Sequence, residues 1–313
     1  MIKTVASSSL PVDETLEIRK NRILPLHPNG KGKIFSIVTG THGDELEGQY
    51  VCYKLNKILQ ANRDKLEGIV DIYPALNPLG VDTITRGIPM FDLDMNRIFP
   101  GDVNGSMAEY IAAEIVDDLS KSDFCIDIHA SNIYLTEIPQ VRISEETADV
   151  LVPYAEKLNI DFIWVHGAAT VLQSTLAHSL NSVGVPTLVV EMGVGMRITQ
   201  KYGDQLIDGI LNLMYCLGIW KGEVKEVRKP IVSTDPDEIS FVNAPASGVF
   251  LPLVAHWDTV EKGQKIGQIV NPLDGTVFSE LHAEVDGIVF TIREYPVVSE
   301  GSLIARILRR EKA

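Results

Sequence analysis

The sequence predicts an α/β protein: a mostly parallel mixed sheet with helices on both faces, followed by a small all-β, barrel-like unit. Three observations predict it. Apolar, β-branched runs alternate with stretches of helical periodicity from residue 33 to about residue 219. Several of those runs stop abruptly at glycine, proline or a titratable side chain. After Trp220 the texture changes to short β-type runs between turns, and no long helical pattern returns.

The first strand is "KIFSIVT" at 33–39, ending at Gly40. "DELEGQYVCYKLNKILQAN" then carries apolar residues at helical spacing. "GIVDIYPALNP" is a second strand, stopped by Pro74 and the turn that follows. "SMAEYIAAEIVDDLSK" is a helix whose Ser106 and Glu109 form a capping box. "DFCIDIHA" is a third strand, ending in a histidine. "ETADVLVPYAEKLN" is largely helical, "VPTLVVEMG" is a buried strand carrying Glu191, and "DQLIDGILNLMYCLGI" is the helix after it. The charged "KGEVKEVRKP" reads as a linker, which divides the chain into residues 1–225 and a β-rich unit, 226–313.

Bulk properties bound the function. The 313 residues suffice for one large domain, or for one of about 200 residues with a small companion. A formal charge of −14 leaves no basic field for phosphates, so no nucleic-acid partner is expected. The start of the chain has no apolar h-region, and no apolar run approaches the ~18 residues of a membrane span. Cys52, Cys125 and Cys216 are scattered without CxxC spacing and read as reduced thiols. A cytoplasmic protein follows as the expectation, with no membrane partner and with a homo-oligomer compatible.

The turn "GTHGDE" after the first strand raises the chemical question. His42 and Glu45 form H-x-x-E, close enough to serve one ion from one turn. A third ligand from elsewhere would complete a site of two histidines and one carboxylate, leaving a position open for water. His129 is the natural candidate, delivered at the end of its strand. Asp127, two residues earlier, faces the same side and could orient a ligand. Glu191, alone on an apolar strand, would have its pKa raised by burial. Because sites in such sheets lie beyond the carboxyl ends of the strands, His42, Glu45, His129 and Glu191 should converge.

"GTHGDELEG", "DLDMNRIFPG", "DIHAS" and "VVEMG", in that order from about residue 35 to 195, resemble the succinylglutamate desuccinylase/aspartoacylase family, a branch of the zinc carboxypeptidase-like (M14) hydrolases. The resemblance implies one Zn2+ per chain held by His42, Glu45 and His129. It implies that Glu191 is the general base and then the general acid. It places Asn96 and Arg97 on the substrate carboxylate and Arg86 on the scissile carbonyl. The activity it implies is hydrolysis of the amide bond of a small N-acyl amino acid or related compound. A carboxypeptidase acting on short peptides, or a metal-bearing binding protein without catalysis, are the competing readings. Near the C-terminus, "HWDTVEKGQKIGQIV" and "VDGIVFTI" resemble the biotinyl/lipoyl pattern, but "NPLDGTVFSEL" offers no lysine for a swinging arm.

Overall fold

A computed structural model describes residues 1–27, 32–167 and 173–310. The first part of the chain runs β1 (Ile2–Ser9), β2 (Thr15–Ile23), β3 (Ile34–Thr39), α1 (Glu47–Ala61), β4 (Ile69–Tyr73), α2 (Pro78–Thr83), α3 (Met107–Leu119) and β5 (Phe124–His129). It continues through β6 (Leu135–Ser144), α4 (Ala148–Ala155), β7 (Phe162–His166), α5 (Leu176–Ser182), β8 (Thr187–Gly193) and α6 (Gln200–Cys216). The expected strands at 33–39, 68–73, 123–129 and 185–193 are therefore present, in parallel pairing as β4-β3-β5-β8. The capping box at Ser106 and Glu109 is present too.

Strand alternation decides which face of the sheet receives the site. Phe35 and Ile37 of β3, Ile126 and Ile128 of β5, and Val190 of β8 pack into one core with Leu55 of α1 and Ile210 of α6. Val38 and Cys125 point the other way, into a core with Ile111 and Ile115 of α3 and Leu180 of α5. By the same period of two, Asp127, His129, Val189 and Glu191 belong to the α3/α5 side.

The structure adds three elements that local periodicity did not disclose. The N-terminal residues form a β1–β2 hairpin that extends the sheet antiparallel to β4. β6 enters antiparallel to β8, and β7 pairs parallel with β6. β6 was hidden because Pro139 and the polar residues Thr136, Glu137, Gln140 and Arg142 interrupt its apolar positions. Its register slips between Glu137 and Gln140, a bulge that lets a proline sit inside a sheet. The helix expected from Asp44 begins only at Glu47, because residues 40–46 are spent on the turn that presents His42 and Glu45.

The C-terminal part holds β9 (Ile231–Ser233), β10 (Ile239–Asn243), β11 (Gly248–Pro252), β12 (Thr259–Val260), β13 (Lys265–Val270), β14 (Val277–His282), β15 (Gly287–Arg293), β16 (Val297–Val298) and β17 (Leu303–Arg309). β14-β13-β11-β16 form a separate four-stranded sheet. It closes over β10, β15 and β17 around Val242, Phe250, Ile266, Val289 and Ile304. The β13–β14 hairpin tip, where a carrier domain would bear its lysine, reads Asn271 to Thr276. The two parts of the chain share one sheet: β15 pairs with β6 and β9 with β7. Among the described residues no helix is long and apolar enough to cross a membrane.

Candidate active site

Sharp backbone geometry after β3 builds the first half of the site. Gly40 has φ +68°, and a side chain there would meet Ala75 and Pro74 at 2.9 Å. Gly43 lies flat against α2, so that a Cβ would stand 1.9 Å from the carbonyl carbon of Gly80. The turn so formed turns His42 and Glu45 toward β5. His42 Nδ1 lies 2.7 Å from Glu45 Oε1, and His129 Nδ1 lies 3.0 Å from Glu45 Oε2. The backbone N–H of Ala130 donates to the same Oε2 at 3.2 Å. The two imidazoles tilt toward each other with centroids 5.1 Å apart.

The far nitrogen of each ring has a carboxylate. His42 Nε2 is 3.0 Å from Asp94 Oδ1, and His129 Nε2 is 3.1 Å from Asp127 Oδ2. Each ring is thus oriented from behind while its Nδ1 faces inward, the arrangement that holds metal-ligating histidines in place. The electrostatics follow. Burial works against charge on His42, but Asp94 and Glu45 outweigh it and raise its pKa. His129 is pushed down by burial and lifted well above the usual imidazole range by Asp127 and Glu45. Glu45, although burial opposes its charge, is held below the usual carboxylate range by the two histidines. The pocket therefore favours positive charge. A divalent cation and the imidazole protons would compete for the same atoms.

These donors fit zinc. One ligand atom from each of His42, Glu45 and His129 lies within 4.8 Å of the others, all three residues are buried, and two nitrogens with one carboxylate oxygen is a zinc donor set that leaves a position open.

The remaining sequence candidates fall around this group. Arg86 Nη1 donates to Glu45 Oε1 at 3.0 Å, and its Nε to Asp94 Oδ2 at 3.3 Å. Asp94 caps the short turn Met95–Arg97 by accepting from the Asn96 N–H. Asn96 Oδ1 in turn accepts from the Leu176 N–H at 2.9 Å, and Arg97, exposed, donates to the Asn96 carbonyl. No hydrogen bond or ion pair joins Asn96 or Arg97 directly to the His-Glu-His group among the described residues. Glu191 sits opposite His129 in the parallel register of β5 and β8. Burial pushes its pKa up to about 7, against the pull of Arg142. His166 stands beside Trp164, its Nδ1 3.2 Å from the Gly167 carbonyl, with the rest of "GAAT" outside the described residues.

Sequence reasoning missed Arg142, Glu137 and Arg306. Arg142 Nη1 is 3.4 Å from Glu191 Oε1. Glu137 binds both Arg142 and Arg306. The available signal was two opposite charges five residues apart in an apolar stretch, "TEIPQVRI".

Comparisons with known proteins show the family. Residues 31–217 match the model of the succinylglutamate desuccinylase/aspartoacylase catalytic domain. The chain is 30% identical over 295 residues to the N-alpha-acetyl-L-2,4-diaminobutyric acid deacetylase of Halomonas elongata, covering 89% of this chain and 82% of that protein. Two solved structures share the fold. The product-bound ectoine utilization protein EutE (DoeB) of Ruegeria pomeroyi has TM-score 0.82 at 22% identity, over 97% of this chain and 93% of that one. A succinylglutamate desuccinylase/aspartoacylase from Rhodobacter sphaeroides has TM-score 0.81 at 23% identity, over 100% and 96%. Fold and relatives together define the class as that of the amide-hydrolysing deacylases. Within it, the chain belongs to the succinylglutamate desuccinylase/aspartoacylase family.

Proposed function

We propose that the protein is a zinc-dependent amidohydrolase that removes the acyl group from a small N-acyl amino acid or a related compound. The observation that carries this reading is the buried His42–Glu45–His129 group with Glu191 beside it in register. In this reading His42, Glu45 and His129 hold the ion. When bound, zinc supplies Lewis acidity, polarising a carbonyl and making water a stronger acid. Glu191 takes the proton of the attacking water and returns it to the leaving amine; a carboxylate that titrates near neutrality can do both. Arg86, anchored on Glu45 and Asp94, offsets negative charge growing on the carbonyl oxygen. Asn96 and Arg97 grip the substrate carboxylate. The Asn96 Oδ1 is occupied by Leu176, which leaves its amide N–H groups for the substrate, and the exposed Arg97 guanidinium offers a bidentate fork. Asp94 and Asp127 keep the two imidazoles turned inward.

The test is turnover of a mixed pool of N-acyl amino acids, followed by mass spectrometry with zinc-loaded protein. Release of free amino acid is expected, and Glu191→Gln should lower kcat roughly 10²–10⁴-fold. No turnover across the panel, or an unchanged rate for Glu191→Gln on a substrate that is turned over, would sink the reading. Hydrolysis confined to peptides with a free C-terminal carboxylate would point to a carboxypeptidase instead.

A further inference from the structure

Glu191 has few restraints of its own. Its carboxylate accepts no hydrogen bond among the described residues, and the Arg142 guanidinium forms an ion pair with it at 3.4 Å. Arg142 starts two residues deeper in the sheet, where it pairs with Val189, while Gln140 pairs with Glu191. The side chain therefore has to reach back up the sheet to meet Glu191, and something must keep it there.

Glu137 does so. Arg142 Nη2 donates to both of its oxygens at 2.9 Å. Glu137 is fully buried, and an isolated charge in that position would be costly. It is itself fixed by two residues of the C-terminal part: Arg306 Nη1 donates at 2.5 Å and the Thr291 hydroxyl at 3.3 Å. The Trp164 ring lies against both guanidinium groups, at 5.7 Å from Arg142 and 5.5 Å from Arg306. Two cations thus share one buried anion, and Glu191 supplies the second negative charge. In a chain of net charge −14, two partly buried arginines converging on this spot are a local exception.

We propose that Arg142 is a positioning residue for Glu191, and that the C-terminal part, through Arg306 and Glu137, holds Arg142 in place. The inference rests on Glu191 being the proton-transferring group. It assigns the β-rich part a role in catalysis: it immobilises the far end of the chain Arg306–Glu137–Arg142–Glu191 across the β6–β15 junction. Misplacing a reacting group by about 1 Å can cost on the order of 10²-fold in rate, so the effect should appear in kcat rather than in KM.

The test is a double-mutant cycle on the full zinc-loaded chain, with zinc content and thermal unfolding recorded for each variant. Arg142→Met is expected to lower kcat roughly 10- to 100-fold with KM changed less than about threefold. Arg142→Lys should recover part of the loss. Arg306→Leu should lower kcat about tenfold, and Arg306→Lys less; should Arg306→Leu fail to fold, Glu137→Gln reads the same link. In the Glu191→Gln background, Arg142→Met should change the residual rate by no more than about twofold, because its effect passes through the missing carboxylate. An undiminished further loss in that background overturns the proposal, as does a loss confined to KM, which would make Arg142 a substrate contact. If Glu191→Gln alone leaves the rate unchanged, it is the zinc amidohydrolase reading that fails, and the cycle separates the two failures.

Discussion

At Glu191 the proposed function and stability pull in opposite directions. Burial raises its pKa to about 7, so the folded chain holds a proton that the unfolded chain releases near the ordinary value of 4.5. Stability associated with this group is complete below that lower value and is lost as pH rises through about 7. Glu191→Gln removes the penalty. In chelated protein, we expect the variant to gain roughly 1–3 kcal/mol over the parent between pH 4.5 and 8, read as diverging denaturant midpoints. A constant difference across that range would show that the carboxylate is not desolvated. The same residue would thus be worth more to catalysis than to the fold, as expected of a group whose environment is arranged for proton transfer.

Two short elements can be tested separately from the chemistry. The His42 turn exists because Gly43 lets it lie on Gly80 of α2. Gly43→Ala would force those backbones apart and move His42 and Glu45 together, since both hang from one turn. Zinc affinity, measured by chelator competition, should fall about 10- to 100-fold, while the far-UV spectrum is retained. An unchanged affinity would mean that the ligand geometry does not depend on this contact. Helix α3 begins with a reciprocal cap, Ser106 accepting from the Glu109 N–H and Glu109 accepting from the Ser106 N–H. Ser106→Ala should cost about 1 kcal/mol in urea unfolding and leave the kinetics alone, because the cap lies on the exposed surface.

For the molecule as a whole, the zinc reading predicts linkage between metal and fold. The proposed ligands come from the turn after β3 and the end of β5, elements 84 residues apart in the case of Glu45 and His129. An ion bound only by the folded chain stabilises it by about 2.7 kcal/mol at a hundredfold excess over Kd, which corresponds to a Tm rise of roughly 5 °C. Differential scanning calorimetry with and without chelator measures this directly, and coincident curves would argue against a resident metal. The assembly of the sheet matters equally. β15 pairs with β6, so the C-terminal strands continue the sheet that carries Glu191.

Much of this was legible in residue order, and the reason is local. Short-range patterns report burial. An apolar run ending in His or Glu marks a strand that delivers a polar group to a sheet edge, and H-x-x-E places two ligands in one turn whatever the rest of the chain does. β3, β5 and β8, the helices between them, and His42, Glu45, His129 and Glu191 could be read in that way. The N-terminal hairpin was not, because β1 is half exposed and lacks an apolar period. β6 was not, because its polar side chains make sense only once their partners are known. Arg306 and Glu137 are 169 residues apart, and no periodicity in either segment reveals that they touch. The residue order thus pointed to the side chains proposed to carry the chemistry, since that depends on spacing within single elements. Folding in three dimensions settled which charges surround Glu191, since ion pairing across strands depends on sheet register between segments distant in the chain.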